Sequence, residues 1–357
     1  MRSRPPNLKN HALPALREIC VARGWPAYRG DQIATWLYAN EVQSFDEMIN
    51  LPAEIRAGLA ADFEISSLEV VMTQHSVDGT KKLLLQAIDG AQIEAVLIPE
   101  ERRQTLCVST QVGCPLTCSF CATGALGFTR NLDTSEIIDQ VLLARRQLEP
   151  DEVLSNLVFM GMGEPLLNLP AVSEAIRLLI DPKGFGLAPR RVTVSTAGVL
   201  PQIGPLLEVA PIHLAVSLHA TTDEVRDILV PLNKRFPIEE LLATLREEPR
   251  INRRRPVFFE YTLMAGINDS IEDARRLPGL LKGIASKVNV IPMNPHPDAP
   301  YRPPSQEVVN RFTATLYNAG VRVTLRRDRG RDIDAACGQL ANRAVPALRA
   351  SASKAGL

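Results

Sequence analysis

The stretch TLCVSTQVGCPLTCSFCATG, residues 105–124, opens on a short β-rich run and closes on Cys114, Cys118 and Cys121 in a CxxxCxxC spacing. Beyond it the chain becomes periodic: strand, loop, helix, repeated. The pairs are CVST with SEIIDQVLLARRQL, NLVFMG with AVSEAIRLLI, RVTVST with PQIGPLLE, HLAVSLH with EELLATLREE, FFEYTLM with DARRLPGLLKGI, and KVNVIPMN with EVVNRFTATLYNAG. A seventh strand, VRVTLRR, closes the series. Strands alternating with helical segments predict a parallel sheet. The periodic part spans about 220 residues where a complete eight-fold barrel takes roughly 250. The expected fold is therefore α/β, an open partial (β/α)6 barrel over 105–345, followed by a tail over 346–357.

Upstream of the cysteines, residues 66–104 alternate β-rich segments around turn signals at Asp78-Gly79 and Asp89-Gly90, which predicts a short antiparallel meander. Residues 1–65 carry apolar positions at helical spacing, among them Leu16, Ile19, Ile33, Trp36 and Leu37, and predict a small helical bundle ending near Leu59.

The chain has 357 residues, 45% hydrophobic and 22% charged, a composition that supports a full core and excludes a disordered or fibrous protein. No apolar run reaches the length of a membrane span, and the basic N-terminus lacks the apolar stretch of an export signal. Forty basic residues balance forty acidic ones, so contact with nucleic acid falls to local patches. Candidates are Arg253, Arg254 and Arg255; Arg326, Arg327, Arg329 and Arg331; and Arg102 with Arg103. Of the six cysteines, four lie between Cys107 and Cys121. A cytoplasmic setting favours metal binding or redox chemistry over structural disulfides. Cys20 is read as core packing.

Three closely spaced thiolates can share one iron-sulfur cubane, and supplying three rather than four leaves one iron open to a ligand. Gly113, Pro115, Gly124 and Gly127 suit a loop that bends round such a cluster without a helix or strand ladder. The competing assignment is a structural zinc site with a fourth ligand elsewhere, but the paired half-sites usual for zinc are missing. In a βα barrel functional groups gather at strand ends. Here those ends carry Gly163 and Glu164 in a flexible turn, then Ser195, then Ser217, Leu218 and His219, then Asn294. A carboxylate in a glycine-rich turn suits an amino group, and serine and asparagine suit hydroxyls or ring nitrogens.

The cysteine spacing at the first strand of a βα series resembles the radical S-adenosylmethionine superfamily. LCVSTQVGC, GCPLTCSFCATG, GFTRNL, FMGMGEPLLN, RRVTVSTAG, LAVSLHA and DIDAACGQL together resemble the RlmN/Cfr family of RNA methyltransferases, from about residue 15 to about 345. The resemblance implies a 4Fe-4S cluster on Cys114, Cys118 and Cys121, with S-adenosylmethionine cleaved on its open iron to a 5′-deoxyadenosyl radical. It implies that Gly163, Glu164, Ser195, Ser217, Leu218, His219 and Asn294 bind that cofactor. It further implies that Cys337 carries a methyl group, that Glu94 accepts the ring proton, and that Cys107 resolves the RNA-bound Cys337 as a disulfide. The substrate expected from it is carbon 2 of adenine in 23S ribosomal RNA and in tRNA, 3′ of the anticodon. Cfr-like methylation of carbon 8 and a zinc-stabilised RNA-binding protein are the alternatives. An electron donor such as flavodoxin or ferredoxin and a monomeric state complete the expectation.

Overall fold

The computed structural model describes residues 5–101, 103–297, 299–326 and 329–341. Arg102, Arg327 and the tail over 346–357 therefore lie outside the described residues.

Three helices, α1 (Leu13–Ala22), α2 (Tyr28–Ala34) and α3 (Ala53–Asp62), form the N-terminal bundle. Leu16, Cys20, Ile33, Leu37 and Leu59 turn into its core, so Cys20 packs as expected. The bundle joins the barrel through a buried ion pair between Lys9 and Asp139, whose other oxygen accepts the Ser67 amide at 2.7 Å. Burying such a pair is tolerable because every charge has a partner.

The meander follows as β1 (Leu68–His75), β2 (Lys81–Ala87) and β3 (Gln92–Glu100), antiparallel, with the two predicted turns between them. β3 then pairs antiparallel with β4 (Arg103–Cys107), the first barrel strand, which starts two residues before the expected boundary. The meander is thus continuous with the barrel sheet. That sheet continues in parallel through β7 (Val153–Phe159), β8 (Val192–Thr196), β9 (His213–Ser217), β10 (Val257–Leu263), β11 (Ser286–Pro292) and the short β12 (Val323–Leu325). Its ten strands run in the order β1-β2-β3-β4-β7-β8-β9-β10-β11-β12, open at both ends.

The crossovers are α5 (Thr134–Arg145), α6 (Leu169–Ile180), α7 (Ile203–Val209), α8 (Asp223–Leu229) with α9 (Ile238–Glu247), α10 (Ile271–Leu280) and α11 (Gln306–Asn318). Several start where the sequence supplies a cap: Asp133 with Glu136 forms a capping box on α5, and Ser270 and Ser305 cap α10 and α11. One apolar core runs from the N-terminal helices under the whole sheet. Among the described residues, no helix is long and apolar enough to cross a membrane.

Two small elements depart from expectation. The cysteine loop is framed by a second ladder, β5 (Gln111–Gly113) antiparallel to β6 (Phe128–Asn131), and by a helical turn, α4 (Ala122–Ala125). Gly113 is therefore a strand residue and Gly124 a helical one. Both are glycines for lack of room: a Cβ on Gly113 would meet the Gly127 oxygen at 1.8 Å, and one on Gly124 the Cys118 backbone nitrogen at 3.2 Å. The loop bends at Gly113 and Gly127, both at φ +73°, and is fixed by packing as well.

Candidate active site

Cys114, Cys118 and Cys121 line one side of a cavity of about 160 Å³ at the C-terminal ends of the barrel strands. The loop is held at several points. Cys114 N–H donates to Gly127 O at 2.9 Å, Ser119 Oγ meets Tyr301 Oη at 2.8 Å, and His296 Nε2 meets Phe120 O at 2.9 Å. Among the described residues no group of three or more His, Cys, Asp or Glu side chains stands placed to hold a single ion. The three thiols lie near enough to disfavour one another's ionisation, a set that fits a cubane in which each cysteine takes a different iron. Burial pushes the Cys114 thiol up to about 12, so a metal is what would draw the thiolate out.

The opposite wall is built from strand ends. Gly163, Glu164, Ser195, Ser217, His219 and Asn294 all line the cavity, as the sequence predicted. The turn bearing Glu164 is a correction, since it is packed and bonded where flexibility was expected. Gly163 has φ +99°, and a Cβ there would strike Gln111 Cβ at 2.6 Å; the Glu164 amide donates to Gln111 Oε1 at 2.8 Å. Glu164 Oε2 accepts the Ala197 amide at 2.8 Å and Oε1 the Leu166 amide at 3.1 Å. Burial lifts its carboxyl to about 7 against these donors, a poise that a cationic amino group would reverse. His219, at φ +56°, accepts the Thr262 amide on Nδ1 at 3.0 Å, and burial lowers it to about 3, leaving a neutral ring edge-on to Phe120. Leu218 does not reach the cavity. Its side chain is buried, its amide donates to Glu260 O and its carbonyl accepts Arg226 Nε, so it acts on the wall from behind.

Two buried oxygens on this wall, Asn294 Oδ1 and Glu260 Oε2, have no hydrogen-bond partner. Buried polar atoms are rarely left so. A ligand rich in N–H and O–H donors, as S-adenosylmethionine is, would satisfy both.

A wider cavity of about 420 Å³ adjoins the first and shares Cys121, Asn294, Arg326 and Cys337 with it. Cys107, at the end of β4, and Cys337, on the C-terminal loop, both line it. Cys337 is exposed and Cys107 buried. Burial pushes Cys107 up to about 12, Cys337 adds to this, and the Arg326 guanidinium opposes it. Glu94 stands apart. It is 1% exposed and lines neither cavity: Oε1 pairs with Lys82 Nζ at 3.1 Å and Oε2 accepts the Ala341 amide at 2.9 Å. A solvated strand carboxylate it is not.

The basic patches divide. Arg326 and Arg329 line the wider cavity. Arg331 is exposed in the same loop. Arg103 opens β4, at the far end of that strand from Cys107. Arg253, Arg254 and Arg255 precede β10, at the strand-start end of the barrel, and Arg255 donates to Leu207 O at 3.1 Å.

Sequence reasoning missed Arg226. Its side chain is fully buried in α8 and gathers the carbonyls of Ala197, Ser217 and Leu218 at 2.7, 3.0 and 3.1 Å, drawing the ends of β8 and β9 together. In DEVRDIL it looks like a surface helix charge, and no local signal marks it.

Comparison with known proteins agrees with this geometry. The Radical SAM superfamily family model matches residues 108–277, and the Ribosomal RNA large subunit methyltransferase N-terminal domain model matches residues 6–65. A radical SAM methyltransferase crystal structure from Sphaerobacter thermophilus superposes with a TM-score of 0.89 at 44% identity, covering 95% of this chain and 100% of that one. Fold and site thus define a radical S-adenosylmethionine methyltransferase, an enzyme class that works with a 4Fe-4S cluster and S-adenosylmethionine. Proteins called Dual-specificity RNA methyltransferase RlmN match along nearly the whole chain. The one from Dinoroseobacter shibae is 47% identical over 94% of this chain and 89% of its own length, and the one from Geotalea uraniireducens 44% identical over 96% and 98%. The chain belongs to the RlmN family.

Proposed function

We propose that this enzyme methylates carbon 2 of an adenine in 23S ribosomal RNA and of the adenine 3′ of the anticodon in tRNA, by way of a methyl group carried on Cys337. The observation that carries the reading is the pair Cys107 and Cys337 on one cavity that opens into the strand-end chamber. Cys114, Cys118 and Cys121 would hold the cluster; Glu164 would face the cofactor's amino group, with Gly163, Ser195, Ser217, His219 and Asn294 around it and Leu218 supporting the wall. When bound, cluster and cofactor supply the methyl group and the one-electron chemistry that an electron-poor ring carbon requires.

The protein's own residues then do four things. Cys337 Sγ holds the methyl as a thioether beside the wider cavity, where the adenine, swung from its stack, is tied to it through that carbon. Glu94 takes the proton from ring carbon 2, and the adduct's unpaired electron would be given up to the one-electron chemistry of the bound cluster, leaving a closed-shell thioether. Cys107 thiolate attacks Cys337 Sγ: a sulfur–sulfur bond forms, the sulfur–carbon bond breaks, and its electron pair leaves with the carbon, which is protonated to a methyl group. The disulfide then takes two electrons from a thiol reductant before the next turnover. Arg326 and Arg329 are placed to meet RNA phosphate, which positions without reading sequence.

In this reading residues 1–65 serve as an RNA-recognition module, 66–104 carry Glu94, and 105–345 form the catalytic barrel. The enzyme is taken as a cytoplasmic monomer that receives electrons from a carrier such as flavodoxin or ferredoxin.

The test is nucleoside mass spectrometry of RNA incubated with reduced enzyme, wild type beside Cys337→Ala. Wild type is expected to give 2-methyladenosine and the variant none. Full activity in the variant removes the methyl relay, 8-methyladenosine moves the enzyme to the Cfr chemistry, and protein holding one zinc without iron or sulfide rejects catalysis altogether.

A further inference from the structure

Lys82 has no place in the chemistry above, yet its side chain is 4% exposed, a position lysine almost never takes unpaired. It lies on β2 opposite Val96, and Val96 lies on β3 opposite Cys107. Directly opposed residues in antiparallel strands point to the same face, so Lys82, Val96 and Cys107 form one row across the sheet. The C-terminal loop bearing Cys337 crosses this face. Lys82 Nζ donates to the Asp334 carbonyl at 3.3 Å and pairs with Glu94 Oε1 at 3.1 Å; Glu94 Oε2 accepts the Ala341 amide at 2.9 Å. One ion pair therefore grips the loop on both sides of Cys337.

We propose that Lys82 is a positioning residue for the thiol relay: together with Glu94 it clamps residues 334 and 341, and so sets Cys337 over the row that ends in Cys107. The proposal rests on the relay assigned above. Other ties reach the middle of this span, from the Ala122 amide to Gly338 O at 2.8 Å, Asn294 Nδ2 to Cys337 O at 3.5 Å and Gln339 Nε2 to Pro295 O at 2.9 Å, but none of them joins its two ends. Asp78 accepts the Gly330 amide at 2.9 Å, and Thr123 Oγ1 donates to Leu340 O at 2.7 Å. The clamp also occupies Glu94. Its Oε2 must release Ala341 before it takes a ring proton, so the loop is fixed while Cys337 is loaded and freed when the RNA adduct is resolved.

The test uses the full chain with its cluster reconstituted, as wild type, Lys82→Met and Lys82→Arg. Amide hydrogen exchange is read across residues 334–341, and kcat and KM for RNA are measured in parallel. Lys82→Met is expected to raise exchange in that segment about tenfold while α5 and α6 stay as in wild type, and to lower kcat about tenfold with KM within about twofold. Lys82→Arg should restore most of both. Wild-type exchange over 334–341 in Lys82→Met overturns the proposal, as does a kcat that Lys82→Arg does not recover. Should Lys82→Met leave the buried Glu94 carboxylate without its lysine and the chain fail to fold, the double variant Lys82→Met with Glu94→Gln removes both charges. It carries the same expectation of faster exchange at residues 334–336, and wild-type exchange there overturns the clamp. Faster exchange in Lys82→Met beside wild-type enzyme that makes no methyladenosine leaves the clamp and removes the relay; wild-type enzyme that makes methyladenosine, with unchanged exchange in Lys82→Met, removes the clamp alone.

Discussion

The two adjoining cavities are built in different ways. In the narrower one the wall facing the cysteine loop is made of strand ends, and its key side chains are fixed by main-chain amides, as Glu164 is by Ala197 and Leu166 and His219 by Thr262. The wider one is assembled from a meander strand end, the first barrel strand and a loop more than two hundred residues further on, held by side-chain ties such as Lys82 to Asp334 and Gln339 to Pro295. A cofactor used in every turnover gets a rigid seat. Cys337, which the proposed relay makes the methyl carrier, sits on the part held by side-chain ties.

That contrast breaks first at Gly163. Gly163→Ala forces a Cβ into Gln111 at a left-handed φ, and strain of roughly 1–3 kcal/mol plus the displaced carboxylate should weaken S-adenosylmethionine binding about 100-fold or more. Calorimetric titration reads this. Oxidation of Cys107 and Cys337 to a disulfide by diamide should proceed in the variant as in wild type; a joint loss would mean the two cavities fold as one unit.

The next effect is one of pH. Glu164 stands at about 7 in the ligand-free chain against an ordinary 4.5. A carboxyl raised on folding favours the protonated form, so its contribution to ligand-free stability is complete below about 4.5 and is lost as pH rises through about 7. Binding a cationic amino group needs the carboxylate. Affinity for S-adenosylmethionine should therefore fall about tenfold per unit as pH drops below 7, and Glu164→Gln should flatten the profile. His219, held neutral down to about 3, adds no titration in that window. A wild-type profile level from pH 5.5 to 8 would refute the assignment.

The smallest effect separates the basic patches. Arg329→Ala should raise KM for RNA several-fold and reduce its salt dependence, whereas Arg253→Ala, at the strand-start end, should leave KM within about twofold. Equal effects would place RNA on both ends of the barrel.

The strand ends were legible because strand alternation fixes their position and polar side chains there stand out. Gly163, Ser195, Ser217, His219 and Asn294 all lie where that rule put them. Cys114, Cys118 and Cys121 were legible from spacing alone. What escaped depends on tertiary pairing. Lys82 in VDGTKK looks like an ordinary residue after a turn, and only the sheet register and the returning C-terminal loop give it partners. Arg226 reads as a solvated helix charge until α8 is laid over the ends of β8 and β9. The glycines of the cysteine loop were correctly singled out, and Gly113 and Gly127, at φ +73°, do bend the chain. What escaped is the close approach of backbones at Gly113 and Gly124, a property that the composition of a loop does not carry.

The buried Lys9–Asp139 pair has a mechanical consequence. Asp139 neighbours Gln140 on α5, and Gln140 Oε1 accepts the Ser109 amide at 2.7 Å; Ser109 Oγ in turn reaches Glu94 O at 2.6 Å and the Met162 amide at 2.9 Å. The N-terminal helical module and the turn that leads to Glu164 are thus linked by a short run of bonds through α5. An RNA seated on those helices would be measured as by a caliper. Two unlike RNAs would then qualify by presenting an adenine at the same separation from the seat, with no need for a shared sequence.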